Sequence, residues 1–161
     1  MQVNAFKYKS WADERTLLAI GHINKEGYQS AYAFVTQQIN HMVIVEELFK
    51  SRLSGEPPLH SSTNTEQLPD LDALGDRLRT SNRWYSNYVA SKPPIDHTIS
   101  FNFADGRPGR MSVGEILFHV ITHGSYHRGN IAHALDLAGV PHPIDGYGIF
   151  IHEHEPERRG T

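Results

Sequence analysis

His119-Val-Ile-Thr-His123-Gly-Ser-Tyr-His127-Arg128-Gly129-Asn130 places three histidines at every fourth position of an apolar segment. Val113, Ile116, Leu117 and Val120 before it, and Ile131, Ala134, Leu135 and Leu137 after it, continue one helical rhythm. Ser112 with Glu115 three residues on has the spacing of a capping box, and Gly139 is a natural stop. A single long helix is therefore predicted from about 112 to 138, with the histidines stacked along one stripe in its middle. Imidazoles one turn apart can grip one borderline metal ion, because both can bring a nitrogen to about 2 Å from it. Residues eight apart are separated by roughly 12 Å along the axis. The stripe thus offers two candidate pairs, His119/His123 or His123/His127, and the third ligand must come from elsewhere.

Working outward, Ser30–Leu53 carries Phe34, Ile39, Met42, Val43, Leu48 and Phe49, a broad apolar face suited to a bundle core, with His41 set in its middle. Ser54–Thr65 contains two prolines and a run of small polar residues, so it ends that helix and forms a long connection. A connection of this length can travel the height of a bundle, and the helices it joins need not be antiparallel neighbours. Asn4–His22 and a stretch from Pro69 or Asp70 to Val89 supply two further helices. Thr98–Phe103 alternates apolar with polar residues and is followed by Asp105-Gly106, which predicts a short strand or hairpin. Pro141 and Pro143 interrupt the chain, Ile149-Phe150-Ile151 can pack as a short terminal element, and the last residues read as a charged tail. The expectation is an all-α four-helix bundle in one domain, 1–161, with a strand or hairpin before the fourth helix.

The 161 residues contain no cysteine, which removes disulfides, thiolate ligands and a cysteine nucleophile together, so any thiol chemistry needs an external thiol. A net charge of −3 gives no general attraction to nucleic acid or to an anionic membrane. No apolar run approaches a membrane span and the N-terminal residues lack an apolar signal core, so a cytoplasmic location is expected. No phosphate-binding glycine loop or Gly-x-Ser-x-Gly elbow occurs, and Gly124 stands where a His-Glu-x-x-His protease carries its base.

His41 is unusual on an apolar helical face, and bundles build metal sites from facing helices, so it is the natural source of a third ligand. Arg128 reads as a structural salt bridge, Gly124 and Gly129 as points of close packing, and Glu46 and Glu47 as solvated carboxylates. His152-Glu153-His154 reads as part of a solvated tail.

The helix 4 motif, the helical His41 with Phe49 eight residues on, and Tyr8-Lys9-Ser10-Trp11-Ala12 in helix 1 together resemble the DinB/YfiT-like family of damage-inducible helical proteins, distinct from the DNA polymerase of the same name. The resemblance spans nearly the whole chain. It departs at Lys9 and Asp13, where asparagines are frequent, and at Asn130, where glutamine is common. It implies an up-down-down-up bundle, often a homodimer, with one divalent ion held by His41, His123 and His127, which selects the second pair and leaves His119 in a supporting role. Zinc or nickel is favoured; iron and copper also suit nitrogen ligands, and manganese stands as a further alternative. It also implies a metal-dependent enzyme activating a low-molecular-weight thiol, in the manner of a thiol S-transferase, or water. A non-catalytic stress protein with a structural metal is the alternative, and a metal-assisted hydrolase or nuclease stands behind both. No nucleic-acid or membrane partner is expected.

Overall fold

A computed structural model describes residues 2–160. Four long helices form the body: α1 (Gln2–Ile20), α2 (Gln29–Ser54), α3 (Leu71–Ala90) and α4 (Val113–Leu137). A short antiparallel hairpin, β1 (Thr98–Asn102) and β2 (Pro108–Ser112), leads into α4, and α5 (Tyr147–His154) follows it. No helix among the described residues is long and apolar enough to cross a membrane.

The helix ends follow local chemistry. Asp70 caps α3 by accepting from the Ala73 N–H, and Ser112 and Glu115 close the expected capping box at α4. Gly55 ends α2 in the left-handed conformation, φ 70°, where a β-carbon would be strained.

Directions follow from which residues meet. Phe6 stacks on Tyr85 and Glu14 pairs with Arg79, so α1 and α3 are antiparallel. Lys9 packs at Gly124 and Asp13 pairs with Arg128, so α1 and α4 are parallel. His41 meets His127 while Phe49 meets His119, so α2 and α4 are antiparallel. The order is up-down-down-up, as expected. Parallel α2 and α3 explain the long connection: Gly55–Asp70 must climb back along the bundle, which an extended chain can do at roughly 3.3 Å per residue.

Two apolar clusters fill the interior. Leu17, Ile20, Val35, Ile39, Leu78, Ile131 and Leu135 belong to one, and Phe6, Phe49, Tyr85, Ile116, Leu117 and Val120 to the other. Between them lies a layer of buried polar residues, Lys9, Asp13, Glu46, Ser81, Asn82 and Arg128, drawn from all four helices. Here the structure corrects the sequence reading of Glu46, which is 1% exposed rather than solvated. Glu47 is half-buried and held by Arg77 and His60. The terminal residues are also corrected: His152 and His154 belong to α5, whose Phe150 and Ile151 bury against Tyr8 and Ala12 of α1.

Candidate metal centre

His41 comes from the middle of α2, and His123 and His127 from one turn of α4. The antiparallel crossing sets them opposite each other. His123 Nε2 lies 3.2 Å from His41 Nε2 and 3.1 Å from His127 Nε2, and the ligand atoms of all three lie within 4.8 Å of one another. Two nitrogens bound to one tetrahedral zinc at 2.0–2.1 Å stand about 3.3 Å apart, so the spacing is that of a shared ion.

The outer ring nitrogens explain the orientation. His41 Nδ1 lies 3.0 Å from the Thr63 carbonyl oxygen, and His127 Nδ1 lies 2.6 Å from Gln38 Oε1. Both partners are acceptors, so both Nδ1 atoms carry the proton and both Nε2 lone pairs point inward. His123 Nε2 can donate at most one proton, which cannot satisfy two facing lone pairs. A cation at the centre satisfies all three. Burial, with the neighbouring imidazoles adding to it, pushes the pKa of His123 down to about 3, and burial with His41 pushes His127 down to about 4. His123 and His127 are therefore neutral at pH 7, the state in which imidazole is a ligand. The residues present fit a divalent metal ion.

Topology delivers the Thr63 acceptor. The segment returning from α2 to α3 passes over His41, and Thr65 Oγ1 accepts from Asn40 Nδ2 at 3.0 Å, fastening the same segment to the neighbouring residue of α2. Farther back, His60 meets Glu47, which Arg77 also clamps at 2.6 Å. Gln38 and Thr63 were not singled out from sequence. Gln38 lies one turn before His41, a spacing that hints at a shared face, but nothing in the chain marks the Thr63 carbonyl.

The adjoining face of α4, about 100° round the helix, is fixed by the buried charge layer. Lys9 Nζ lies 2.7 Å from Asp13 Oδ2, Asn82 Oδ1 and Glu46 Oε1; the last is off the line of a good hydrogen bond and is held by charge. Arg128 Nη1 donates to Asp13 Oδ1 and Arg128 Nε to Asp145 Oδ2, each at 2.8 Å. Burial drives the Lys9 ammonium toward neutrality, but Asp13 and Glu46 outweigh it and raise its pKa. Burial likewise opposes the Asp13 carboxylate, and Lys9 and Arg128 outweigh it and hold that pKa below its ordinary value. Glu46 is pushed up, burial exceeding what Lys9 returns. Arg128 is thus the structural pair expected from sequence, and it sets the rotation of α4 that aims His127 at His41.

Gly124 belongs to the same construction. A β-carbon there would stand 3.1 Å from Arg128 Nη1 and 3.7 Å from Lys9 Cε, so close packing explains it. Gly129 differs from its sequence reading, because a β-carbon there meets nothing within 4 Å. His119 stays outside the trio. Its ring lies 5.3 Å from that of His123 and 5.0 Å from that of Phe49, with no hydrogen-bond partner among the described residues.

The model of the DinB family matches residues 1–159. The chain belongs to the DinB family. Protein DinB of Bacillus subtilis (strain 168) is similar to it, at 24% identity over 166 residues, covering 95% of each chain. No solved structure matches. Lys9 and Asp13 both lie in the buried layer and pair with each other.

Proposed function

We propose that this DinB-family protein is a metal-dependent enzyme in which His41, His123 and His127 hold one divalent cation, zinc or nickel by preference. The observation that carries the reading is the convergence of three Nε2 atoms, with the outer nitrogens of His41 and His127 tied to acceptors. When bound, such an ion supplies a Lewis acid that lowers the pKa of a small thiol or of water and turns it into a nucleophile at neutral pH. The chain's part is to keep His123 and His127 neutral, to aim His41 through Thr63 and His127 through Gln38, and to leave the remaining positions to solvent and substrate. Three protein ligands without a carboxylate are the donor set of an open site.

Because the chain has no cysteine, the thiol of this proposal is an external, low-molecular-weight one, in the manner of a thiol S-transferase. A cytoplasmic single-domain protein working as a homodimer belongs to the same proposal. Exposed Phe118 and Tyr126 on α4, 69% and 67% accessible, support a covered face.

The test is metal analysis of the purified protein, followed by turnover with a panel of small thiols and electrophiles. Metal-edge absorption spectra with and without thiol then read the coordination. One ion per chain and new sulfur scattering on thiol addition are expected. A site that stays empty under metal-replete conditions refutes the reading. An ion that stabilises the fold but never accepts sulfur or exchanges water assigns the metal a structural role instead.

A further inference from the structure

Arg52 lies three helical turns after His41 on α2, so the two side chains leave the same face of the helix, with Leu48 between them. Its guanidinium is laid against aromatic rings, with Cζ 4.5 Å from the centre of Phe49 and 4.1 Å from that of Phe101. Nη2 donates to the Asn102 carbonyl at 3.1 Å, which ties the hairpin to α2. Arg77, Arg79, Arg107, Arg128 and Arg158 each have a carboxylate partner, whereas partly buried Arg52, like Arg15 over Trp11, has none among the described residues. The rings exclude water from its faces and leave its in-plane N–H groups as the outlet for hydrogen bonding.

These N–H groups border a cleft of about 570 Å³ between the hairpin and the α2–α3 return segment, lined by Leu48, Arg52, His60, Ser61, Ile99 and Phe101 among others. The return segment runs from Ser61 in that wall to Thr63, whose carbonyl holds His41, so the cleft and the three histidines share one boundary. On the α4 side, the rings of Phe49, His119 and His123 step from Arg52 back to the trio. Of the other charged groups, Glu56 is exposed at the rim, and His60 is occupied by Glu47.

We propose that this cleft receives the carboxylate of the small-molecule substrate, with Arg52 as its anchor, so that the reacting end lies at the three histidines. The inference rests on the proposed metal site and names a substrate class for it: organic monoanions long enough to reach from the trio to Arg52. One unpaired guanidinium with an acidic residue at the rim suits a monoanion better than a dianionic phosphate. The helix rise places the Cα atoms of His41 and Arg52 about 16 Å apart, which sets the length a substrate must span.

The experiment is a molecular ruler. Cobalt-loaded protein is titrated with ω-mercaptocarboxylates from mercaptoacetate to mercaptoundecanoate, each against the neutral ω-mercaptoalcohol of equal length, following cobalt–sulfur absorption. The carboxylate is expected to win by roughly tenfold at one intermediate length, as a charge-assisted hydrogen bond allows. That preference should vanish in Arg52→Met, which keeps the apolar stem. Equal affinities at every length, or a preference that survives in Arg52→Met, overturn the proposal.

A second arm needs no thiol, so failure of the thiol chemistry is read separately. Hexanoate, hexanol and hexyl phosphate are titrated into the zinc form, following the Arg52 Nε–H and His119 ring signals by NMR. Saturable binding of hexanoate that Arg52→Met lacks supports the anchor. No response, or tighter binding of hexyl phosphate, overturns it. Melting temperature and zinc content are measured on Arg52→Met, and Arg52→Gln replaces it if it fails to fold.

Discussion

Removing the acceptor on His127 tests whether the metal centre is preorganised. In Gln38→Leu the His127 Nδ1 proton loses the oxygen that stands 2.6 Å away, in a residue only 9% exposed. An unpartnered buried donor costs about 1–3 kcal/mol, and loss of a partner behind a metal-bound histidine typically weakens metal affinity by about 10–100-fold. The two figures agree, since each 1.4 kcal/mol is about tenfold. Gln38→Glu should act in the opposite direction. A carboxylate accepts the same proton more strongly and makes the imidazole a better donor, and Asn130 Nδ2, 3.5 Å from Gln38 Oε1, remains available to it. The assay is zinc competition against a chromophoric chelator at constant pH, with the metal-free melting temperature as a control for folding. The expected order of affinity is Gln38→Glu, then the native protein, then Gln38→Leu. If both variants bind zinc like the native protein while His127→Ala does not, the orientation of His127 owes nothing to Gln38 and the reasoning fails.

Alanine at His41, His123 or His127 should each reduce bound metal from one ion per chain to near zero by elemental analysis, while His119→Ala retains it. Gly129→Ala should raise stability by roughly 1 kcal/mol, because the β-carbon meets open space and helix propensity improves. Gly124→Ala should lower it, since its β-carbon crowds Arg128 Nη1, held by Asp13; urea melts of the two variants read the contrast. Burial alone raises the Glu47 pKa, but its bonds to Arg77 and His60 outweigh that and place it below the ordinary value in the folded protein. Its contribution to stability is therefore full above the unfolded carboxylate pKa, about 4.5, and is lost as pH falls through the folded value. Glu47→Gln should flatten that acid limb in a pH series of melting temperatures and leave neutral-pH metal binding intact.

The histidine stripe shows which residues were readable from the chain. Helix α4, its capping box and the hairpin before it depend on neighbours in sequence, and all were legible there. Helical rise also limited the stripe to two ligands, and His41 stood out because it interrupts an apolar face. Glu46 was misread for a definite reason: a carboxylate on a helix is solvated by default, and its partners Lys9 and Ser81 lie on other helices. Gly124 and Gly129 look alike in sequence, and only the structure shows that a β-carbon at Gly124 would crowd Arg128 while one at Gly129 meets open space.

The sequence by itself determined the four helices, the histidine donors and the lack of any thiol of the chain's own, because periodicity, capping and residue type are local properties. The tertiary structure alone decided which nitrogens face one another, that Gln38 and the Thr63 carbonyl set their tautomers, and that a charged layer behind α4 fixes its rotation. Those facts belong to the crossing of α2 with α4 and the climb of the return segment. They are distances between residues far apart in the chain, and local sequence rules do not encode such distances.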